Sequence, residues 1–405
     1  MKMNKNAVKL LRGSVFTQLS LLFLTGSPLI AQILPAQLLN DTRSFEVSAC
    51  MPGKEKIISV WMEKRPERKD NDENAADMRV AYKSSANNGK DWTDKGIIDL
   101  TNTFATGNPY VTSNDKGESY LVCMHIGKDF WSGNISLYEF DFRSKQFILK
   151  SIPFKSDSQL LDKPSIVANG NEIHLVYNAY NSNFTNSVRY QMSRDKGKTW
   201  TAPVSVFHDA KIKYLGPSIA LLKGNQIAVS SGAYSGNNIY LARKKTNADS
   251  TVFERPIVVS KISAKLGSAM TELSRFGEKL MLTWQNPHQR NETWLSLSNS
   301  DGNSWSAPFL ITAKGNLLSA VVDQKGNIHC IFSDFSDQQF VVRYKVLNSR
   351  YEILKEDVLM QNTLLSTFTE YLGAYQKLLI RDNELYAFWI DYPNNNSLNF
   401  TKWTF

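Results

Sequence analysis

Apolar residues in this chain fall in short alternating runs and not in helical stripes. From about residue 43 to the C-terminus one pattern recurs: a short apolar strand, a turn carrying Gly or Asn, then a stronger apolar strand ending in polar residues. In chain order the stronger strands read IISVWMEK (57–64), YLVCMHIG (120–127), IHLVYNAY (173–180), IAVSSGAY (227–234), LMLTWQNP (280–287), IHCIFSDF (328–335) and YAFWIDYP (386–393). They are rich in β-branched and aromatic residues, and their length and alternation are those of strands. The weaker strands before them begin near Ser44, Tyr110, Ser165, Ser218, Ala269, Ser319 and Tyr375. Several open on related sequences: GNPYV (107–111), DKPSI (162–166) and LGPSI (215–219).

A repeat of roughly 50 to 66 residues with three or four strands per unit predicts a β-propeller. Seven units can be counted, so the expected fold is all-β and seven-bladed, with six blades as the alternative if one unit is misread. The last unit ends after a third strand (397–404) and lacks a fourth. The strand-like segment 33–40 has no partner of its own. That N-terminal segment is expected to supply the missing outer strand and close the ring, which removes the exposed edges that invite aggregation.

Composition and charge narrow the setting. With 42% hydrophobic and 21% charged residues in 405, the chain is globular and neither disordered nor a multi-span membrane protein. Lys2, Lys5, Lys9 and Arg12 precede an apolar run from Val15 to Ala31, which reads as a secretory signal or an N-terminal anchor over 1–31. Residues 32–405 are then one propeller domain, exported to a secreted, periplasmic or extracellular-surface location. No later segment approaches the length of an apolar membrane span. Removing the leader's four positive charges from the formal +9 leaves a mildly basic chain, which suits a glycan or an acidic cell-surface ligand. Lysines are scattered and not clustered, which argues against nucleic acid. Cys50, Cys123 and Cys330 read as buried thiols, with one bridge and a spare thiol as the alternative. The five histidines have no metal-ligand spacing, so neither metal nor cofactor is expected. The chain is read as a monomer.

Three units carry a further motif after the third strand. Ser193-Arg-Asp195-Lys-Gly197-Lys-Thr199-Trp200 is the fullest copy; Ser85-Ala-Asn87-Asn-Gly89-Lys-Asp91-Trp92 and Ser298-Asn-Ser300-Asp-Gly302-Asn-Ser304-Trp305 are looser ones. The short side chain after the Ser suits a turn in which it bonds backbone amides, the Gly suits positive φ, and the Trp suits burial between sheets. The motif resembles the Asp-box, S-x-D-x-G-x-x-W, of the sialidase-like propellers with BNR repeats. That resemblance spans nearly all of residues 32–405 and implies a propeller fold, with the Asp-boxes themselves structural. It also implies where a sialidase would keep its chemistry: an arginine triad for a carboxylate, an acid/base Asp, and a Tyr nucleophile paired with a Glu. Arg43 stands where the family places its first arginine, although Arg-Ile-Pro is here Arg43-Ser44-Phe45. Arg65 follows the second strand of the same unit, and the loop beyond it carries Asp70, Asp72 and Asp77 as acid/base candidates. Tyr375, in Tyr-Gln-Lys-Leu378, matches the family's nucleophile segment. The later arginines are missing: 224–234 has none, and Gln285 stands near an expected one, with Ser268 or Ala269 near the expected Glu. The catalytic set that the resemblance implies is incomplete.

In a propeller the starts of the first strands and the ends of the second strands meet at one end of the channel. Aligning the second strands gives a column of Glu63, His125, Ala179, Gly232, Gln285, Asp334 and Asp391; the first-strand starts add Arg43, Asn108, Lys163 and Tyr375. Such a ring reads as a polar ligand site, or equally as strand ends meeting water. Phe130 and Trp131, in the loop after the second strand of unit two, are candidates for stacking on sugar. The expectation is therefore a propeller that recognises glycans or an envelope surface at its mouth. The alternatives are a sialidase-type or other glycoside hydrolase with a Tyr nucleophile, and a protein-interaction scaffold. Whether the chain is an enzyme stays open.

Overall fold

The computed structural model describes residues 35–41, 43–65, 78–100, 103–207, 209, 211–233, 238–245, 251–261, 270–286, 292–336, 339–363, 376–392 and 396–405. They form seven four-stranded antiparallel sheets. The first, innermost strands are Ser44–Cys50, Ala105–Ser113, Leu160–Asn169, Tyr214–Leu221, Met270–Phe276, Gly315–Val322 and Lys377–Arg381. Each contacts the next, and the last contacts the first, so the sheets form a closed ring of seven blades. Among the described residues the single helical element is a 3-10 turn, Lys223–Asn225, and no helix is long and apolar enough to cross a membrane.

The seventh blade is composite. Its fourth strand is Gln37–Asn40, paired antiparallel with Ser397–Thr404. Leu39 from that strand enters a cluster with Ile57, Trp61 and Ala81 of blade one and Tyr386, Phe388, Ile390, Leu398 and Phe400 of blade seven. The two ends of the chain are thus joined by backbone pairing and by burial together.

Second strands are apolar on both faces because a blade is covered on both sides. In the second strand of blade one, Ile57 and Trp61 face blade seven, while Ile58 and Val60 join Val111, Leu121 and Tyr138 of blade two. All four are fully buried. Cys50, Cys123 and Cys330 are free and buried within these sheets.

The three Ser/Gly/Trp turns follow the chemistry of their residues. The Ser oxygen accepts from the Gly amide in each: Ser193 from Gly197 at 2.7 Å, Ser85 from Gly89 at 2.8 Å and Ser298 from Gly302 at 2.9 Å. Asp195 accepts from the amides of Lys198 and Thr199 at 3.0 and 2.9 Å. Gly197 has φ +81°, and a Cβ there would stand 2.2 Å from Leu137 Cδ2, so both backbone and space demand glycine. The Trp rings pack at the edges of inter-blade clusters.

Candidate functional site

Side chains on a strand stand perpendicular to the sheet, and in a propeller that direction points at the neighbouring blade, not at the axis. A regular inner strand therefore offers the channel mostly backbone. This molecule breaks the regularity near the start of its first strands. Register shifts fall between Phe45 and Ser48, Gly107 and Tyr110, Asp162 and Ser165, Leu215 and Ser218, and Asn316 and Ser319. In four of these bulges the residue two before the Ser or Tyr is left-handed: Glu46 at φ +50°, Asn108 at +48°, Lys163 at +50° and Gly216 at +55°. Left-handed backbone is uncommon for residues other than glycine, and bulges re-aim side chains. Here the three side chains are turned into a cavity at the ring's centre, whose solvent-accessible volume is about 140 Å³.

At the next ring position one bond recurs in three blades. Ser48 Oγ accepts from the Val111 amide of blade two at 3.2 Å, Ser218 from Leu273 of blade five at 2.9 Å, and Ser319 from Leu378 of blade seven at 3.1 Å. These serines stitch one inner strand to the next. The equivalent positions in blades two, five and seven, one residue before those amides, hold Tyr110, Glu272 and Lys377, which line the cavity instead.

Two carboxylate–ammonium pairs result. Lys163 Nζ donates to Glu46 and, at 2.9 Å, to Asn108 Oδ1; Asn108 Nδ2 donates to Asp162. Lys377 Nζ donates to Glu272 Oε1 at 2.5 Å. Burial pushes the Glu46 carboxyl above the usual carboxylate range, with Lys163 opposing, and its Oε2 is buried with no partner. Burial alone would push the Lys377 ammonium down, but Glu272 and the nearby Tyr110 hold it well above its ordinary value. Gln376 donates to Ser333 while its Oε1 is buried without a partner, and Gln285, Thr271 and Trp284 complete the wall. Among the described residues that line the cavity there is no arginine, and among the described residues no group of His, Cys, Asp and Glu is arranged to hold a metal ion.

Of the aligned columns read from the sequence, Asn108, Lys163 and Gln285 line this cavity. Four others of the aligned columns are engaged elsewhere. Glu63 is fully buried and held by Arg79 at 2.7 Å, Lys95 at 3.1 Å, the Trp61 indole at 3.3 Å and Asn40 of the closing strand at 3.2 Å. It ties blade one to the N-terminal strand. His125 lies between Thr106 at 2.8 Å and Tyr138 at 3.2 Å, and burial pushes its pKa down to about 4. Asp334 accepts from Arg343 at 3.1 Å, and Asp391 accepts from the Asn362 amide at 2.8 Å. A second strand is one strand spacing, about 4.8 Å, further from the axis than a first strand; Gln285 reaches the cavity from that position, while these four are taken up by partners of their own. Arg65 forms a bidentate pair with Asp99, closest at 2.6 Å, and reaches the carbonyls of Leu100 and Thr103. Arg43 is exposed, and its carbonyl accepts from the Lys64 amide at 3.2 Å. Phe130 and Trp131 are on the rim described below. Tyr375, Asp70, Asp72 and Asp77 lie outside the described residues.

Glu46, Glu272, Gln376 and Lys377 are polar cavity groups that sequence reading passed over. Aligning the units on the stitching residue, with Ser48 beside Tyr110, Ser165, Ser218 and Ser319, places Glu46 level with Asn108 and Lys163. The same frame sets Glu272 and Lys377 on the serine position itself.

No family model matches the chain, and no curated protein matches it. Solved structures do. An α-L-arabinanase from Penicillium chrysogenum, complexed with arabinobiose, is 12% identical over 92% of this chain and 98% of its own, with a TM-score of 0.56. An α-L-arabinofuranosidase from Fusarium graminearum is 11% identical, covers 92% and 98%, and has a TM-score of 0.54. A Hadza microbial sialidase is 11% identical over 91% of this chain and 68% of its own, at 0.50. The architecture is thus one used by propeller glycoside hydrolases, and at these identities the likeness is one of fold.

Proposed function

We propose that the chain binds a neutral glycan in the cavity at its channel mouth. The observation that carries this reading is the lining: two internally compensated ion pairs, Glu46–Lys163 and Glu272–Lys377, with the amides of Asn108, Gln285 and Gln376. Paired charges and amides offer donors and acceptors in alternation, which suits vicinal hydroxyls. Tyr110, Trp284 and the rings of Pro109, Pro164 and Pro217 add apolar faces for a sugar ring. A carboxylate-bearing sugar would find its lysines already committed and no guanidinium fork among the described lining residues, so sialic acid is the weaker candidate. The fold's use by an arabinanase and an arabinofuranosidase supports a carbohydrate ligand.

A second reading has its own observation. Glu46 combines a raised pKa with an unpartnered buried oxygen, and a second carboxylate, Glu272, lines the same cavity. Glu46 would donate a proton to a leaving glycosidic oxygen while the second carboxyl group, Glu272, served as base or nucleophile, the division of labour of a glycoside hydrolase.

Titration calorimetry with arabino-, xylo-, cello- and galacto-oligosaccharides, beside sialyllactose, tests the first reading. Binding of a neutral series, weakened at least about ten-fold in Lys163→Met with the fold intact, supports it. Binding of sialyllactose alone, or of no glycan, overturns it. Release of reducing sugar from the bound series, lost in Glu46→Gln, tests the second.

A further inference from the structure

A chain of four aromatic rings lies on the mouth end of the ring, across blades two and three. Phe104 contacts Phe130 at 5.9 Å between centroids, Phe130 contacts Trp131 at 5.9 Å, and Trp131 contacts Phe184 at 5.3 Å, each edge to face. Phe130 and Phe184 are 39% and 51% exposed, and contiguous exposed apolar surface marks interaction sites.

The two loops that carry these rings are built alike. They join the second and third strands of neighbouring blades. In the first, Gly127 N bonds Ser132 O at 2.7 Å and Phe130 N bonds Gly127 O at 3.0 Å; in the second, Asn181 N bonds Thr185 O at 2.9 Å and Phe184 N bonds Asn181 O at 2.8 Å. Asp129 accepts from the Ser132 amide and hydroxyl at 2.9 and 2.6 Å, and Asn183 accepts from the Thr185 amide and hydroxyl at 3.0 and 2.6 Å. Both loops hold their Phe left-handed, at φ +66° and +58°. For a bulky side chain that backbone is a costly outlier, and strain of this kind collects at ligand sites. The same cost is met twice, and both times it turns a ring outward.

From these observations we infer that Phe104, Phe130, Trp131 and Phe184 form a stacking rail that carries the further sugars of a neutral polysaccharide away from the channel cavity. This rests on the glycan reading of that cavity. Continuity with the cavity selects the occupant: Phe104 stands four residues before Asn108 on the same chain, on the order of 13 Å when extended. The loops' own polar groups are Lys128, Asp129, Ser132, Asn181, Ser182, Asn183 and Thr185, with one charge of each sign. A polysaccharide's hydroxyls match such a border, whereas an anionic membrane calls for a basic one.

The full chain is titrated with the dimer and hexamer of each neutral oligosaccharide series named above, and so are Trp131→Ala and Phe184→Ala. Phe184 is exposed and Trp131 half-buried, and thermal midpoints check that the variants fold. The expected result is a hexamer that binds about ten-fold tighter than its dimer in the wild type, with that ratio collapsing toward one in each variant. A dimer that binds with no gain for the hexamer, or a gain that survives both substitutions, overturns the rail and leaves the cavity reading standing. Failure of every dimer and hexamer removes both. Dimerisation of the wild type in sedimentation, abolished by Trp131→Ala with no change in the hexamer-to-dimer ratio, would assign the rings to a protein contact and overturn the rail.

Discussion

Acidification should loosen this propeller through one histidine whose charged form the fold excludes. His125 is 1% exposed, its ring held between Thr106 and Tyr138, and burial pushes its pKa down to about 4 from an unperturbed value near 6.5; Asp99 opposes this weakly. The unfolded chain takes up the proton as pH falls through 6.5, and the folded chain refuses it until about 4. The stability linked to this group is therefore whole above pH 6.5 and is lost as pH falls toward 4. By pH 4.5 the loss is about 2–3 kcal/mol. That is a large part of the 5–15 kcal/mol typical of a folded domain. His174 and His329 are also held below the usual histidine range by burial, partly offset by Glu172 and Asp323, so the total slope has several sources. The comparison isolates one of them. Urea midpoints are measured from pH 7.5 to 4.5 for the wild type and His125→Gln. Glutamine loses stability at all pH values by removing packing, but it removes the titration too. The expected result is a smaller fall in stability for the variant between pH 7 and 4.5, by about 2–3 kcal/mol. Parallel pH profiles would refute the assignment of a buried neutral imidazole at this position.

Three other outcomes follow from local geometry. Gly197→Ala should destabilise by at least about 1–2 kcal/mol, since it meets both a positive φ and the Leu137 methyl group, and a thermal midpoint unchanged within a degree would contradict the turn geometry. Ser218→Ala leaves the Leu273 amide without its acceptor between blades four and five and should cost about 1–3 kcal/mol in urea denaturation. A chain beginning at Asp41 lacks the closing strand, which exposes the edge of Ser397–Thr404 and opens the cluster around Leu39. It should elute as soluble aggregate in size-exclusion chromatography, and a monomer of wild-type thermal stability would count against closure by that strand.

Much of the fold was legible because the signals that define a blade are local. The strand IISVWMEK is continuous in apolar residues since both faces of a blade are covered, and its partners YLVCMHIG and YAFWIDYP carry the same mark. Turn chemistry is local too: Ser193, Asp195, Gly197 and Thr199 bond one another within a single hairpin. Even ring closure could be read, as an unpartnered N-terminal strand and a last unit one strand short.

The site was less legible. Glu63, His125, Asp334 and Asp391 share a column in the sequence, yet each has a different partner: Arg79, Thr106 and Arg343 within the same blade for the first three, and Asn362 of the neighbouring blade for Asp391, because register fixes a residue's height in the ring and not the direction it faces. The channel's lining depends on bulges that turn Glu46, Asn108 and Lys163 inward, and on which first strands replace the stitching serine by Tyr110, Glu272 or Lys377. The pairs Glu46–Lys163 and Glu272–Lys377 join residues 117 and 105 positions apart. Sequence alone determined seven repeats of strand and turn, since hydrophobic alternation and backbone chirality act over a few residues. Tertiary structure decided which charges meet, since only closing the ring brings distant first strands around one axis, where burial and opposite charge act across blades.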